Sequence, residues 1–408
     1  MHDYPSFPHP MLQHLRPCML DGVLQFPVYA MRGGTSTGAV LWQPQLPPAG
    51  PLRDELIRLI MGVPLHHDVP GDRQLTGLGR GTPTSNKVFL VEVDAHSREI
   101  TSTLAQLAPG RSAIDWSVNC GNMSAALPLF ALDSGLLPAG PENGDLRIAI
   151  QNRNTDSALS AQLQRVGGRL AQVAIPGVMG YHPGVDLHLH HPAGAKTGAL
   201  LPTGRARDTI FGVTVSCVDV AVPMVIVAAS ELGKRGDETP AELDADSDFK
   251  ARLRVLWTEA GLRMRLRGDD GALLSAARLA ASETMPKVCL VSAPREGGDI
   301  AARYFTPQRA HAALAVSGGC CLAAACLVPG TVAHALALPR GVPVGDPGLH
   351  SVHIENPAGI LTTLLDTRMV DGQLDIVRAA YRRSAQVLMR GHVPLPQASP
   401  ALLACYGA

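Results

Sequence analysis

A single thiol flanked by asparagines, in Asn119-Cys120-Gly121-Asn122, precedes an Ala/Leu-rich run that reads as a helix through Leu132. A cysteine at a helix start lies near the positive end of the helix dipole and beside N–H groups with no intrahelical acceptor. Both favour the thiolate. Small neighbours leave room for a substrate, the amides of Gly121 and Asn122 can approach an anion, and Asn119 adds a side-chain donor for a carboxylate or enolate oxygen. The chemistry offered is acid/base work by a thiol. Read without its neighbours, the same cysteine is a small buried hydrophobe.

Three further stretches carry groups that could work with it. Arginine greatly outnumbers lysine, which occurs only at Lys87, Lys196, Lys234, Lys250 and Lys287. Lys87 lies in Ser85-Asn86-Lys87-Val88, where a long polar loop, residues 62–84, enters a Val- and Phe-rich strand. Loops that long in compact domains are commonly functional, although a strand-edge lysine also serves simply to blunt an edge. Arg32-Gly-Gly-Thr-Ser-Thr-Gly38 follows another strand-like run, and its glycines, its Thr35 and Ser36 hydroxyls and its arginine suit an anion cradle. A plain hairpin turn is the other reading, and the phosphate-loop pattern is absent. The last stretch, His311 to Cys326, repeats the order of strand-like approach, small turn with cysteine and Ala-rich helix. Ser317, Gly318 and Gly319 make a second anion site by analogy, while Cys320 and Cys321 read as packing residues. Arg32 and Arg303 are candidates to clamp outer carboxylates in the two-pronged manner of guanidinium. His311 is open between substrate contact and ordinary packing.

The elements that must position these groups are mainly strands. Gly22–Met31, Ser85–Val93, Ala113–Val118, Leu146–Asn152, Leu159–Val166 and Leu170–Ile175 read as strands in the first half, with a helix at Leu52–Met61. In the second half Ile210–Val218, Pro223–Ala228, Lys287–Ser292, Asp299–Tyr304, Ser351–Glu355 and Gly359–Leu365 read the same way, with a long helix over Glu242–Leu266. Gln373–Met389 mixes a strand with a final helix, residues 1–20 form an irregular lead-in, and the Pro-rich tail past Gly391 is loose. Turn clusters at 192–198 and 201–204 place the domain boundary near 205, giving domains 1–205 and 206–408.

Composition excludes several classes. Lys+Arg and Asp+Glu are equal at 35 each, so no net field draws the chain to nucleic acid or a membrane, and 4% aromatics provide no base-stacking surface. Eight cysteines without a Cys-x-x-Cys lack the density of a secreted disulfide scaffold and the spacing of a cluster or metal site. The start of the chain does not read as a signal peptide, and Val220–Ala229, the longest strongly apolar run, is too short to span a bilayer. The expected setting is the cytoplasm. A small molecule is the expected partner, and a homodimer is compatible with the sequence.

Met31-Arg-Gly-Gly-Thr-Ser36, Ser85-Asn-Lys-Val88, Asn119-Cys-Gly-Asn122, Leu200-Leu-Pro-Thr-Gly204 and Pro329-Gly-Thr331 occur in the order found in the PrpF family, which the chain resembles over roughly residues 22 to 395. The resemblance implies an α+β fold of the diaminopimelate-epimerase-like kind: two pseudo-symmetric domains, each a curved, mostly antiparallel sheet around a central helix, with the site in the cleft between them. It implies an isomerase or tautomerase that shifts a proton across an allylic system of an unsaturated di- or tricarboxylate, without metal or organic cofactor. Lys87 and Cys120 fall on the family's acid/base positions and His311 on a family histidine. Arg32, Gly34, Thr35, Ser36, Ser85, Asn119, Gly121, Asn122, Arg303, Ser317, Gly318 and Gly319 complete the expected substrate site. Thr37 and Asn356 depart from the family pattern and bear on which acid is taken. Two other functions fit the same residues: an amino-acid epimerase using two facing thiols, and a non-catalytic carboxylate-binding accessory protein.

Overall fold

The computed structural model describes residues 15–268, 271–337 and 347–407. The chain divides into two compact units. The first comprises residues up to Ala174 with Val178–Leu187 and Arg383–Ala408, and the second Ile175–Gly177 with His188–Arg382. The chain therefore crosses between units at 187/188 rather than near 205, and its last segment returns to the first unit.

In the first unit, strands Val23–Gly33 and Ser36–Trp42 form a hairpin with Gly33 opposite Ser36. Ser36–Trp42 runs parallel to Lys87–Asp94, which is antiparallel to Glu99–Gln106. That strand is parallel to Gly144–Asn152, which is antiparallel to Ser157–Val166. A parallel neighbour cannot be reached by a tight turn, so each parallel step carries a crossover. The first holds helix Pro51–Met61; the second holds Gly121–Ser124 and Ala126–Asp133.

The two crossovers cover opposite faces of the sheet, as period-2 alternation along the strands requires. Leu24, Phe26, Val28, Leu41, Val88 and Leu90 pack with Leu56, Ile57, Ile60 and Met61 of the outer helix. From the same hairpin Tyr29 meets Phe130 of the inner helix edge to face, with ring centroids 4.9 Å apart. Each fully buried Leu or Ile contributes roughly 1.5–3 kcal/mol. Pro51 in the first turn and Gly62 in the left-handed conformation at φ 69° fix the outer helix's ends.

The second unit repeats this order. Hairpin Val213–Val220 and Val222–Ala228 runs parallel to Lys287–Ser292, which is antiparallel to Ile300–Thr306. Ile300–Thr306 is parallel to Gly348–Asn356, which is antiparallel to Gly359–Val370. Helix Ser247–Arg263 occupies the first crossover and helix Val316–Leu327 the second, so the duplication extends to every strand direction. The inner helix is apolar all round and buried except at Ser317, in keeping with its place inside the sheet's curve.

Four expectations are corrected. Gln373–Leu395 is strand throughout, without a helix, because its ends pair with Gly359–Val370 and with Val23–Gly33, and this pairing overrides the helical leaning of its alanines. The Pro-rich tail is ordered: Val393–Leu395 pairs with Leu24–Phe26, and Ser399 caps helix Pro400–Ala404. Of the lead-in, residues 1–14 lie outside the described residues, and Cys18–Leu20 is a strand. Residues 113–118 make only an isolated bridge, between Asp115 and Gln106. Among the described residues no helix is long and apolar enough to cross a membrane.

Candidate active site

In the first unit the hairpin tip and the inner helix start meet almost backbone to backbone. A Cβ on Gly33 would lie 2.5 Å from the Asn122 carbonyl oxygen, and one on Gly34 2.5 Å from Asn122 Oδ1. Gly34 also takes φ +52°, so this glycine pair is required both for the turn and for the approach. Cys120 is the residue before the helix, extended at φ −130° and ψ 97°, and its carbonyl accepts from Ser124 N at 2.9 Å and Ser124 Oγ at 3.0 Å. The helix breaks at Ala125 because Pro128 has no N–H for the Ser124 carbonyl.

The Cys120 thiol is half-buried, 4.0 Å from Ser36 Oγ. Two residues along the same strand, a Cβ on Gly38 would lie 3.0 Å from Lys87 Cβ. The Cys120 thiol and the Lys87 Cβ thus lie against positions one same-face step apart on Ser36–Trp42, about 7 Å along the strand. Lys87 itself is 7% exposed, and its Nζ donates to the Pro83 carbonyl at 2.6 Å and to Gln106 Oε1. Asn119 holds the Cys120 N–H through Oδ1 at 2.7 Å. Asn122 Nδ2 donates to Thr35 Oγ1 at 3.2 Å, and Asn122 Oδ1 accepts from Arg383 Nε at 2.8 Å. Ser85 closes the turn that leads into the strand, its Oγ 2.8 Å from Thr82 Oγ1.

Two first-unit roles change. The Gly34 amide donates to the Ser384 carbonyl at 2.9 Å and so is not a free donor for an enolate. Arg32 Nη1 is occupied by the carbonyls of Gly34 and Ser384 and by Ser384 Oγ, at 2.9, 3.0 and 3.2 Å. This arginine primarily ties the hairpin to the returning C-terminal strand. Its Nη2 is buried without a hydrogen-bond partner, and burial lowers the guanidinium pKa.

In the second unit the helix begins one residue earlier than the motif suggested, at Val316 after Ala315. Ser317 is in the first turn, but Gly318 and Gly319 are buried, and a Cβ on either would strike the ring of Tyr304 at 2.4 Å or of Tyr381 at 2.6 Å. The bare Cα of each is required for close packing, and the Gly319 amide is already bonded to the Ala315 carbonyl at 2.8 Å. Gly318→Ala is therefore expected to lower the melting temperature, at a cost of about 1–3 kcal/mol, against the roughly 1 kcal/mol that alanine gains over glycine in an isolated helix. A calorimetric melt that is unchanged or raised would show that the Tyr304 ring has room to move. Cys320 and Cys321 are fully buried, the Cys321 thiol lies 3.5 Å from the Val218 carbonyl, and burial pushes its pKa well up.

Along Ile300–Thr306, Ile300, Ala302 and Tyr304 join the core around the inner helix, while Phe305 joins the core on the other face. Arg303 alternates with the first set, and its Nε donates to the Glu238 carbonyl at 2.6 Å. It therefore does not share a face with Ser317, which removes it from that helix start. His311 stacks edge to face on Tyr304, and its Nδ1 accepts from Ala313 N at 2.9 Å, which places the proton of the neutral ring on Nε2. Of the two departures from the family pattern, the Thr37 amide donates to the Thr84 carbonyl at 2.9 Å. Asn356 closes its own turn through Gly359 O at 2.6 Å and Ala358 N at 3.0 Å.

Sequence reading missed Gln106, Arg383 and Ser384, whose roles arise from strand register, and the buried pair Asn86 and Gln74. Asn86 Nδ2 donates to Gln74 Oε1 at 2.7 Å, which folds the long loop onto the Lys87 strand. The available signal was a run of uncharged polar residues beside the motif lysine.

Two strand-duplicated units, each wrapped on an inner helix, define an α+β fold of the diaminopimelate-epimerase-like class. A hydroxyproline epimerase from Agrobacterium vitis shares this fold at TM-score 0.52 and 15% identity, over 92% of this chain and 93% of that one. The family model for PrpF protein matches residues 23–396, and the chain belongs to that family. It is 35% identical over 345 residues to a 4-oxalomesaconate tautomerase of Pseudomonas putida, covering 84% of this chain and 89% of the relative. The crystal structure of a methylitaconate-delta-isomerase is similar at TM-score 0.74 and 26% identity, over 92% of this chain and 97% of that one.

Proposed function

We propose that this PrpF-family isomerase moves a double bond in an unsaturated di- or tricarboxylate by 1,3-allylic proton transfer or cis-trans isomerisation, with Lys87 and Cys120 as the acid/base pair and no cofactor. The observation that carries the reading is that the Cys120 thiol lies 4.0 Å from Ser36 Oγ while the Lys87 Cβ flanks Gly38, two residues along the same strand. The relatives named as a 4-oxalomesaconate tautomerase and a methylitaconate isomerase support the substrate class. One group takes a proton from one end of the allylic system and the other returns a proton to the far end. The extended enolate between those steps needs fixed donors, for which the first-turn amides of Gly121 and Asn122 and the Asn119 side chain are suited.

The two-thiol epimerase reading is disfavoured by Cys320 and Cys321, which are fully buried in the core, with the Cys321 thiol turned to the Val218 carbonyl. The test is NMR in heavy water with a panel of aconitate-, methylitaconate- and oxalomesaconate-like acids. Solvent deuterium should enter the allylic carbons of at least one acid. No uptake across the panel, or tight carboxylate binding by calorimetry without uptake, would sink the proposal.

A further inference from the structure

We propose that Gln106 is a positioning residue for the Lys87 amine, holding it so that protonated and neutral forms occupy one geometry and only the third substituent position on Nζ exchanges a proton. The inference rests on Lys87 as a proton carrier. Strand pairing sets Gln106 directly opposite Lys87. The amide cannot be turned round: its Nε2 donates to the carbonyls of Asn86 and Leu107 at 3.0 Å each and of Pro83 at 3.2 Å. Swapping the amide atoms would set an oxygen against three oxygens, so Oε1 must face the lysine.

The amine thus has two fixed acceptors, Pro83 O and Gln106 Oε1. An ammonium has three N–H donors. A neutral amine has two donors and one lone pair. Both forms satisfy the two acceptors with two N–H bonds, which leaves the third tetrahedral position as the proton that departs or the lone pair that receives. No side chain has to move between the two states, so the transfer requires little reorganisation.

The carbonyl of Pro83 is supplied by the loop, itself anchored by Asn86 and Gln74, which explains why the motif lysine follows a buried asparagine. Among the packed neighbours, the strand positions around the contacts, 36–39 and 104–106, carry no titratable side chain. Segment 79–86 brings Arg80, and segment 107–120 brings Arg111, Asp115 and Cys120. Arg111 is paired with Asp68, and Asp115 Oδ1 accepts from Ser117 N and Oγ.

The experiment observes the Lys87 side chain directly. With only five lysines in the chain, carbon-13-labelled lysine gives a spectrum in which Lys87 is identified by its loss in Lys87→Met. Gln106→Met removes one of the two acceptors that fix Nζ, so the Lys87 Cε signal should move and broaden as the amine samples more than one geometry. In the solvent-exchange assay kcat should fall about tenfold with less change in KM. Gln106→Asn, which keeps an amide but shortens the reach, should change the signal the same way and serves if the methionine variant does not fold. An unchanged Lys87 signal in a folded variant overturns the proposal. A changed signal with unchanged kcat upholds the positioning and refutes instead the part of Lys87 in the reaction, since the spectrum needs no substrate.

Discussion

Cys120→Ser and Lys87→Met should each slow solvent-deuterium uptake by about 10²–10⁴-fold, the range expected when a positioned general acid or base is removed. The loss should fall on kcat, because neither replacement disturbs the backbone contacts that shape the hairpin tip. The Cys120 carbonyl still receives Ser124, and Gly33 and Gly34 still fit against Asn122. Combining the two changes should cost little more than either alone, since a transfer that needs both ends of the relay is already broken by one. The enzyme should also show no mass increase after incubation with the converted acid, because Cys120 is assigned to carry a proton and not to bond to carbon. Wild-type exchange in either variant, or a covalent adduct on Cys120, would refute the assignment.

Residue type and local order brought the main actors into view. The Asn-Cys-Gly-Asn setting and the strand-entry lysine are local patterns, and so are the apolar periodicities that gave Leu52–Met61 and most strand cores. The groups that hold the actors were not visible, because each depends on which strand lies beside which. Gln106 matters only through its register with Lys87, and Arg383 only because the last strand leaves the second unit and returns beside Val23–Gly33. The same return accounts for the misplaced boundary and for the mistaken final helix. Gly318 and Gly319 show the converse: glycine after a small polar residue reads as a cradle in sequence, whereas the aromatic rings of Tyr304 and Tyr381 that require its bare Cα are more than ten residues away along the chain.

That distant support sets the largest expected loss of stability. Arg383 is 2% exposed, among the largest fully buried side chains of the described residues, and its Nε donates to the Oδ1 of Asn122. Asn122 in turn donates to Thr35 at the hairpin tip, so one guanidinium secures both sides of the glycine approach. Arg383→Met keeps much of the volume but leaves a buried acceptor unpaired, which should cost about 3–5 kcal/mol together with the other contacts of the head group. Arg383→Lys keeps the charge but loses the planar donor set, and should recover only part of that. Because Asn122 immediately follows the Cys120-Gly121 turn, loosening it should also misplace the thiol, so residual folded enzyme should lose kcat as well as melting temperature. A melting temperature within a degree or two of wild type for Arg383→Met would mean that Asn122 finds another donor. In that case the hairpin tip would be held by its glycines alone.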